Sequence, residues 1–142
     1  MAMLVMNSTS YTREVSGFTL IELMVTVAVV AIIAAIALPS YTNSIMRGKR
    51  SAAKSAMMDI ANREQQFLLA NRVYADKAAL TNNGYALNGD VSQNYSWTVT
   101  ANNAASPPTF LITLAPVGSQ ASDGSLTLDS IGNKSPPEKW SR

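Results

Sequence analysis

The hydrophobic pattern divides the chain into three stretches. Residues 18–38, FTLIELMVTVAVVAIIAAIAL, are an apolar run broken by one charge, Glu22, and two threonines, Thr19 and Thr26. Coiled as an α-helix at ~1.5 Å per residue, the run is about 31 Å long, which matches a hydrocarbon core of ~30 Å. Beyond Pro39 the pattern becomes amphipathic. Ile45, Ala53, Met57, Ile60, Ala61, Phe67, Leu68 and Tyr74 recur at helical steps, with Asp59, Arg63, Glu64 and Arg72 between them. The spacing predicts one helix from about residue 18 to about residue 71, roughly 80 Å long at that rise. Pro39 has no N–H for the helix ladder and is expected to kink it.

The third stretch changes period. Residues 75–94 are rich in turn signals, Asn83-Gly84 and Asn88-Gly89-Asp90 among them, with room for a short helical turn at 76–80. Three alternating segments follow. Tyr95, Trp97, Val99 and Ala101 alternate with Ser96, Thr98 and Thr100; Phe110, Ile112 and Leu114 alternate with Thr109, Leu111 and Thr113; Leu126 and Leu128 alternate with Thr127 and Asp129. Residues 102–108 and 116–124 read as their connections. Strands with one apolar face and short connections predict an antiparallel meander laid on the amphipathic helix half. The expected fold is α+β: a long kinked N-terminal helix on an antiparallel sheet of about three to four strands. Trp97, Phe110, Ile112 and Leu128 belong to its core.

Composition narrows the chemistry. The chain is 47% hydrophobic and 14% charged, unlike a disordered segment. It contains no cysteine and no histidine, which removes disulfides, thiolate zinc sites, cysteine nucleophiles and the commonest general base. There is no phosphate-binding glycine loop and no EF-hand pattern. Asp59 and Glu64 stand five apart on a helix, off a common face. Asp90, Asp123 and Asp129 read as loop and surface acids. No catalytic residue, metal site or cofactor is assigned, and an enzyme is not expected.

The apolar run admits three readings. It is a cleaved secretory signal with Ala35-Ile36-Ala37 as the cleavage site, a plain single-span anchor, or a span that also packs in a protein assembly. It exceeds the ~7–15 residues of a signal core. A carboxylate inside a span marks a functional site whose partner must be named. Ser16-Gly17-Phe18-Thr19-Leu20-Ile21-Glu22 resembles the processing site of type IV pilins and pseudopilins, and Leu38-Pro39-Ser40-Tyr41 resembles the end of their apolar run. Ser16 stands where family leaders usually carry a basic residue.

The resemblance implies a division of the chain. Residues 1–17 are a leader removed by prepilin peptidase between Gly17 and Phe18. Residues 18–38 are the transmembrane and filament-core half of the helix, residues 39–74 its amphipathic half, and residues 75–142 the globular sheet region, one domain with that second half. Phe18 is N-methylated, and Glu22 pairs with the Phe18 amine of a neighbouring subunit, fixing axial register. An intrachain Phe18–Glu22 contact is the alternative. The implied partners are other pilin subunits, the peptidase, the inner-membrane assembly machinery and, through residues 18–38, the membrane.

The implied location is the bacterial inner membrane with the leader cytoplasmic, then an extracellular filament or the periplasm. Arg47, Lys49, Arg50 and Lys54 follow the span without an acid until Asp59, and charge alone would place that side in the cytoplasm. The processing motif is the more specific signal and places it outside. The cluster itself reads as a solvated face, with lipid headgroups or neighbouring subunits as the alternatives.

The C-terminal stretch Ser125-Leu126-Thr127-Leu128-Asp129-Ser130-Ile131-Gly132, with Trp140, is similar to the end of type IVa minor pilins of the PilE type. There a disulfide closes the last loop; here Asp123 and Lys139 stand at the two cysteine places. A salt bridge between them is the expected replacement, worth ~0–1 kcal/mol if exposed, against ~2–4 for a disulfide. Loop 133–142 is then expected to be the looser for it. The resemblance implies a structural pilus subunit, minor rather than major, with roles in assembly, adhesion and motility. The alternatives are a type II secretion pseudopilin and a minor pilin that binds DNA for uptake. For the last, Arg72, Lys77, Lys134, Lys139 and Arg142 are the candidate cations, a weak footprint at a net charge of +2.

Overall fold

The computed structural model describes residues 17–141, so residues 1–16, read above as most of a leader, and Arg142 lie outside the described residues. Helix α1 spans Leu20–Asn71 and runs through Pro39. The chain divides at that proline into two units, residues 1–39 and 40–142. In the second unit α1 buries a stripe of Ala53, Met57, Ile60 and Glu64, four residues at the three- and four-residue steps that share one helix face. The helix stops where Arg72 turns left-handed, at φ 63°, with its N–H bonded to the Leu68 carbonyl at 2.8 Å. Such a residue just past the last turn is a common helix ending, usually supplied by glycine.

Two short helices follow. Helix α2 (Lys77–Asn82) is capped by Asp76, whose side chain accepts the Ala79 N–H; α3 (Gly89–Ser92) is capped by Asn88, which accepts from Asp90. The Asn88-Gly89-Asp90 turn signal thus opens into one turn of helix. The sheet is a meander in the order β1-β2-β3-β4, with β1 at Tyr95–Asn102, β2 at Thr109–Pro116, β3 at Leu126–Asp129 and β4 at Lys134–Ser135. All its pairings are antiparallel, and Trp97, Leu114 and Leu126 fall in one cross-strand row. The expected α+β fold is the observed one.

The alternation read from the sequence is the alternation of burial. Tyr95, Trp97, Val99, Phe110, Ile112, Leu114, Leu126 and Leu128 form the core with the α1 stripe, Tyr74, Ala75, Leu80, Tyr85 and Val91. Edge-to-face pairs sit within it, Tyr74 with Phe110 at 4.8 Å and Tyr85 with Trp97 at 5.2 Å between ring centroids. Two parts depart from expectation. The connection at 116–124 contains a 3-10 helix, Gly118–Asp123, that buries Gln120 and Asp123. The stretch after residue 133, read from the sequence as a loop, holds β4 and a one-turn helix α4 (Pro137–Trp140) entered through Pro136 and Pro137. Proline suits a helix entry because its missing N–H would have no partner there.

Candidate functional site

The apolar stretch presents its side chains outward along its whole length. Phe18, Leu20, Ile21, Val27, Ile32, Ile36 and Leu38 are all more than half exposed. Its start is locally fixed: the Thr19 hydroxyl accepts the Glu22 N–H at 3.2 Å, and Thr26 Oγ1 donates to the Glu22 carbonyl at 2.7 Å. Thr19-Leu20-Ile21-Glu22 therefore has the sequence and half the bonding of a capping box. The Glu22 carboxylate itself takes no hydrogen bond and no ion pair among the described residues. Gly17 and Phe18 precede the helix in open chain, with Phe18 exposed.

The four cations after the apolar stretch do not form one solvated face. Arg47 bonds Ser44 at 3.3 Å on the helix surface. Lys49 reaches across to Asn94 Oδ1 at 2.8 Å, and Arg50 reaches Asp123. Lys54 lies over the Trp140 ring, 5.9 Å from its centroid. Three of the four thus tie α1 to the globular part.

Asp123 does not pair with Lys139. It turns inward from the 3-10 helix and is nearly fully buried, where Arg50 donates Nε to Oδ2 at 2.9 Å and an Nη to Oδ1. Tyr95 Oη donates to the same carboxylate at 3.1 Å. Gln120 Nε2 reaches the Met46 carbonyl, the Tyr95 hydroxyl and Asp123 at 3.0, 3.0 and 3.1 Å. Burial pushes the Asp123 carboxyl up, but hydrogen bonds from Arg50 and Gln120, the Arg50 charge and the Tyr95 hydroxyl outweigh it and hold the carboxyl below its usual range. Burial pushes the Tyr95 phenol up, to about 12. Lys139 does come to the same corner: its ammonium sits where a Cβ on Gly124 would lie 2.7 Å away. The resemblance located the gap but not the partner, because the side chain at 123 faces the core and the one at 139 does not.

Of the cations proposed for nucleic acid, Lys134 lies over Trp140, 5.2 Å from the ring centroid, on the same indole that Lys54 approaches. Lys139 precedes that tryptophan on α4. Lys77 is elsewhere, 5.1 Å from the Trp97 centroid, and Arg72 stands on the exposed turn after α1. Trp140 Nε1 donates to the Ser135 carbonyl at 3.3 Å, which fixes the ring. Sequence reading misses Lys54 in this group, since it comes from the far end of the chain.

A long apolar-tipped helix carrying a four-stranded antiparallel meander is the architecture of a type IV pilin. Over residues 39–128 the chain matches the family described as "Type IV minor pilin ComP, DNA uptake sequence receptor", and it belongs to that family. Residues 12–38 match the prokaryotic N-terminal methylation motif. Among curated relatives, the type IV major pilin protein PilA of Myxococcus xanthus is 40% identical over 62 residues, 44% of this chain and 28% of the relative. The type IV major fimbrial protein FimA of Dichelobacter nodosus is 56% identical over 39 residues, 28% of this chain and 25% of the relative. A fimbrial protein of Moraxella nonliquefaciens is 57% identical over 37 residues, 26% of this chain and 24% of the relative. The matched stretch spans about a quarter of the length of these relatives. No solved structure matches the chain.

Proposed function

We propose that this minor pilin is a structural subunit, not an enzyme, cut between Gly17 and Phe18 and N-methylated at Phe18. It waits in the bacterial inner membrane with its leader cytoplasmic, and assembles into a filament by moving residues 18–38 from lipid into a bundle of like helices. The domain boundaries at 17/18, 38/39 and 74/75, a helix bend at Pro39, and the peptidase and assembly machinery as partners belong to this reading. The observation that carries it is the exposed apolar surface of residues 18–38, with the Glu22 carboxylate unengaged upon it. Such a carboxylate is costly in an apolar environment until a cation meets it, and the Phe18 amine of a neighbour supplies one.

The mass and N-terminal sequence of the protein taken from membranes test the processing step: N-methylated Phe18 is expected, and a start at Leu38 would mean a discarded signal and no filament subunit. Glu22→Ala then tests the pairing. The variant should be processed as well as the parent yet enter filaments at least tenfold less, scored by immunoblot of sheared pili. Equal incorporation would remove Glu22 from assembly.

A second reading is favoured by the family description and by the lysines on Trp140: the globular unit receives DNA. Cations hold phosphates, and an indole offers a stacking face. In DNA binding by the full chain in detergent, Lys134→Ala should lower the slope of log affinity against log salt by about 1. No binding at about 50 mM salt would reject the reading.

A further inference from the structure

Glu64 occupies the last position of the buried α1 stripe and is 0% exposed. Its Oε2 accepts the Ala75 N–H at 2.9 Å, while Oε1 is buried with no hydrogen-bond partner among the described residues. A buried carboxyl with one oxygen orphaned calls for an explanation. The segment it holds is the turn after α1, which begins at left-handed Arg72. Two further bonds fix that turn: Asn103 Oδ1 accepts the Tyr74 N–H at 2.8 Å, and Asn103 Nδ2 donates to the Tyr74 carbonyl at 3.0 Å. Asn103 lies in the β1–β2 connection, so the turn and that connection are joined.

We propose that Glu64 is a pH-sensitive latch: its protonated form holds the turn 72–76 against α1, and its ionisation favours release of that turn, with the Asn103 connection, into water. The charged groups around it supply no counterion among the described residues. Asp76 on the same turn is negative and disfavours a second negative charge. Arg63, its neighbour on α1, is bonded to Asp59 at 3.2 Å and stands over Tyr85. Lys77 at the start of α2 lies over Trp97. Arg72 makes no ion pair among the described residues, and Tyr74 on the turn takes its side-chain bond from Gln65. The strands opposite bring Phe110 and other core residues without charge.

Burial first, and the Asp76 charge in addition, raise the Glu64 carboxyl to about 7, against the lowering effect of the Ala75 N–H. In the released turn it returns to the ordinary value of ~4.3. Released Glu64 therefore loses its proton first. The opening equilibrium rises with pH between those two values, by up to about tenfold per unit, and levels off above about 7.

Hydrogen exchange of the full chain in detergent micelles, followed from pH 5 to 8 and corrected for the intrinsic rate, tests this. Protection of the Ala75 amide should fall steeply up to about pH 7 and then level, while Ile112 in the sheet keeps its protection. In Glu64→Gln the Ala75 profile should be flat. A wild-type profile that is flat, one that moves in step with Ile112, or an unchanged slope in Glu64→Gln overturns the latch. If the glutamine variant does not fold, the wild-type comparison of Ala75 with Ile112 decides alone.

Discussion

Asp123 shows what single residues contribute and how far a sequence discloses it. The position is legible, since the resemblance read from the sequence implies half of a disulfide at that place. The partner is not, because the choice among the chain's 11 cations depends on which way the 3-10 helix turns the side chain. Arg50, one helical turn before Lys54, is the cation that reaches inward. Removing one partner of a buried pair leaves a charge without compensation, so Arg50→Ala should cost about 3 kcal/mol. The double variant with Asp123→Ala should cost less than the two single losses added together. The pH sign follows from a depressed carboxyl. Its stabilisation is complete above the unfolded value of ~3.9 and is lost as pH falls through the lower folded value. Thermal unfolding between pH 2 and 6 should show this acid loss in the wild type and a shallower one in Arg50→Ala. Equal slopes would mean that the pair does not hold the 3-10 helix. Glu64 is misplaced by sequence reading for a related reason. A charged letter among polar ones reads as surface, yet the steps 53, 57, 60 and 64 put it on the apolar stripe.

At the scale of elements, what is legible is what the local period dictates. Helix α1 and strands β1 to β3 follow from three-to-four and two-residue alternation. Strand β4 has two residues and exists through its pairing with β3, which no alternation can announce. Two glycines show how far the elements tolerate change. Gly48 lies inside α1, its φ is not positive, and a Cβ added there would meet nothing within 4 Å. Gly48→Ala should therefore raise stability by roughly 0.5–1 kcal/mol, through the entropy that glycine loses in a helix. Gly124 stands at φ 74°, and an added Cβ meets the Lys139 ammonium at 2.7 Å. Gly124→Ala should cost about 1 kcal/mol or more from backbone strain. Opposite shifts in thermal midpoint are expected for the two. A neutral Gly124→Ala would show that the turn relaxes without cost.

For the whole molecule, the N-terminal methylation motif is legible because its residues are contiguous, whereas the Trp140 cluster gathers α1, β4 and α4 and cannot be read along the chain. The same separation sets where the globular unit begins. Its buried apolar residues start at Ala53, but its polar anchors start earlier, at the Met46 carbonyl and Arg50. A fragment of residues 45–142 keeps both and should unfold within a few degrees of the full chain in detergent. A fragment of residues 53–142 keeps the apolar core yet strips Asp123 of its guanidinium and Gln120 of the Met46 carbonyl. The lost pair costs about 3 kcal/mol and the lost hydrogen bond about 1. Domains of this size hold about 5–15 kcal/mol in total, so a loss of about 4 is a large share and the shorter fragment should melt well below the longer one. Circular dichroism melts of the two fragments separate the cases. Equal melts would mean that the core alone stabilises the unit and the buried polar cluster adds nothing. A 45–142 fragment melting far below the full chain would mean that the apolar half of α1 stabilises the globular unit as well as anchoring it.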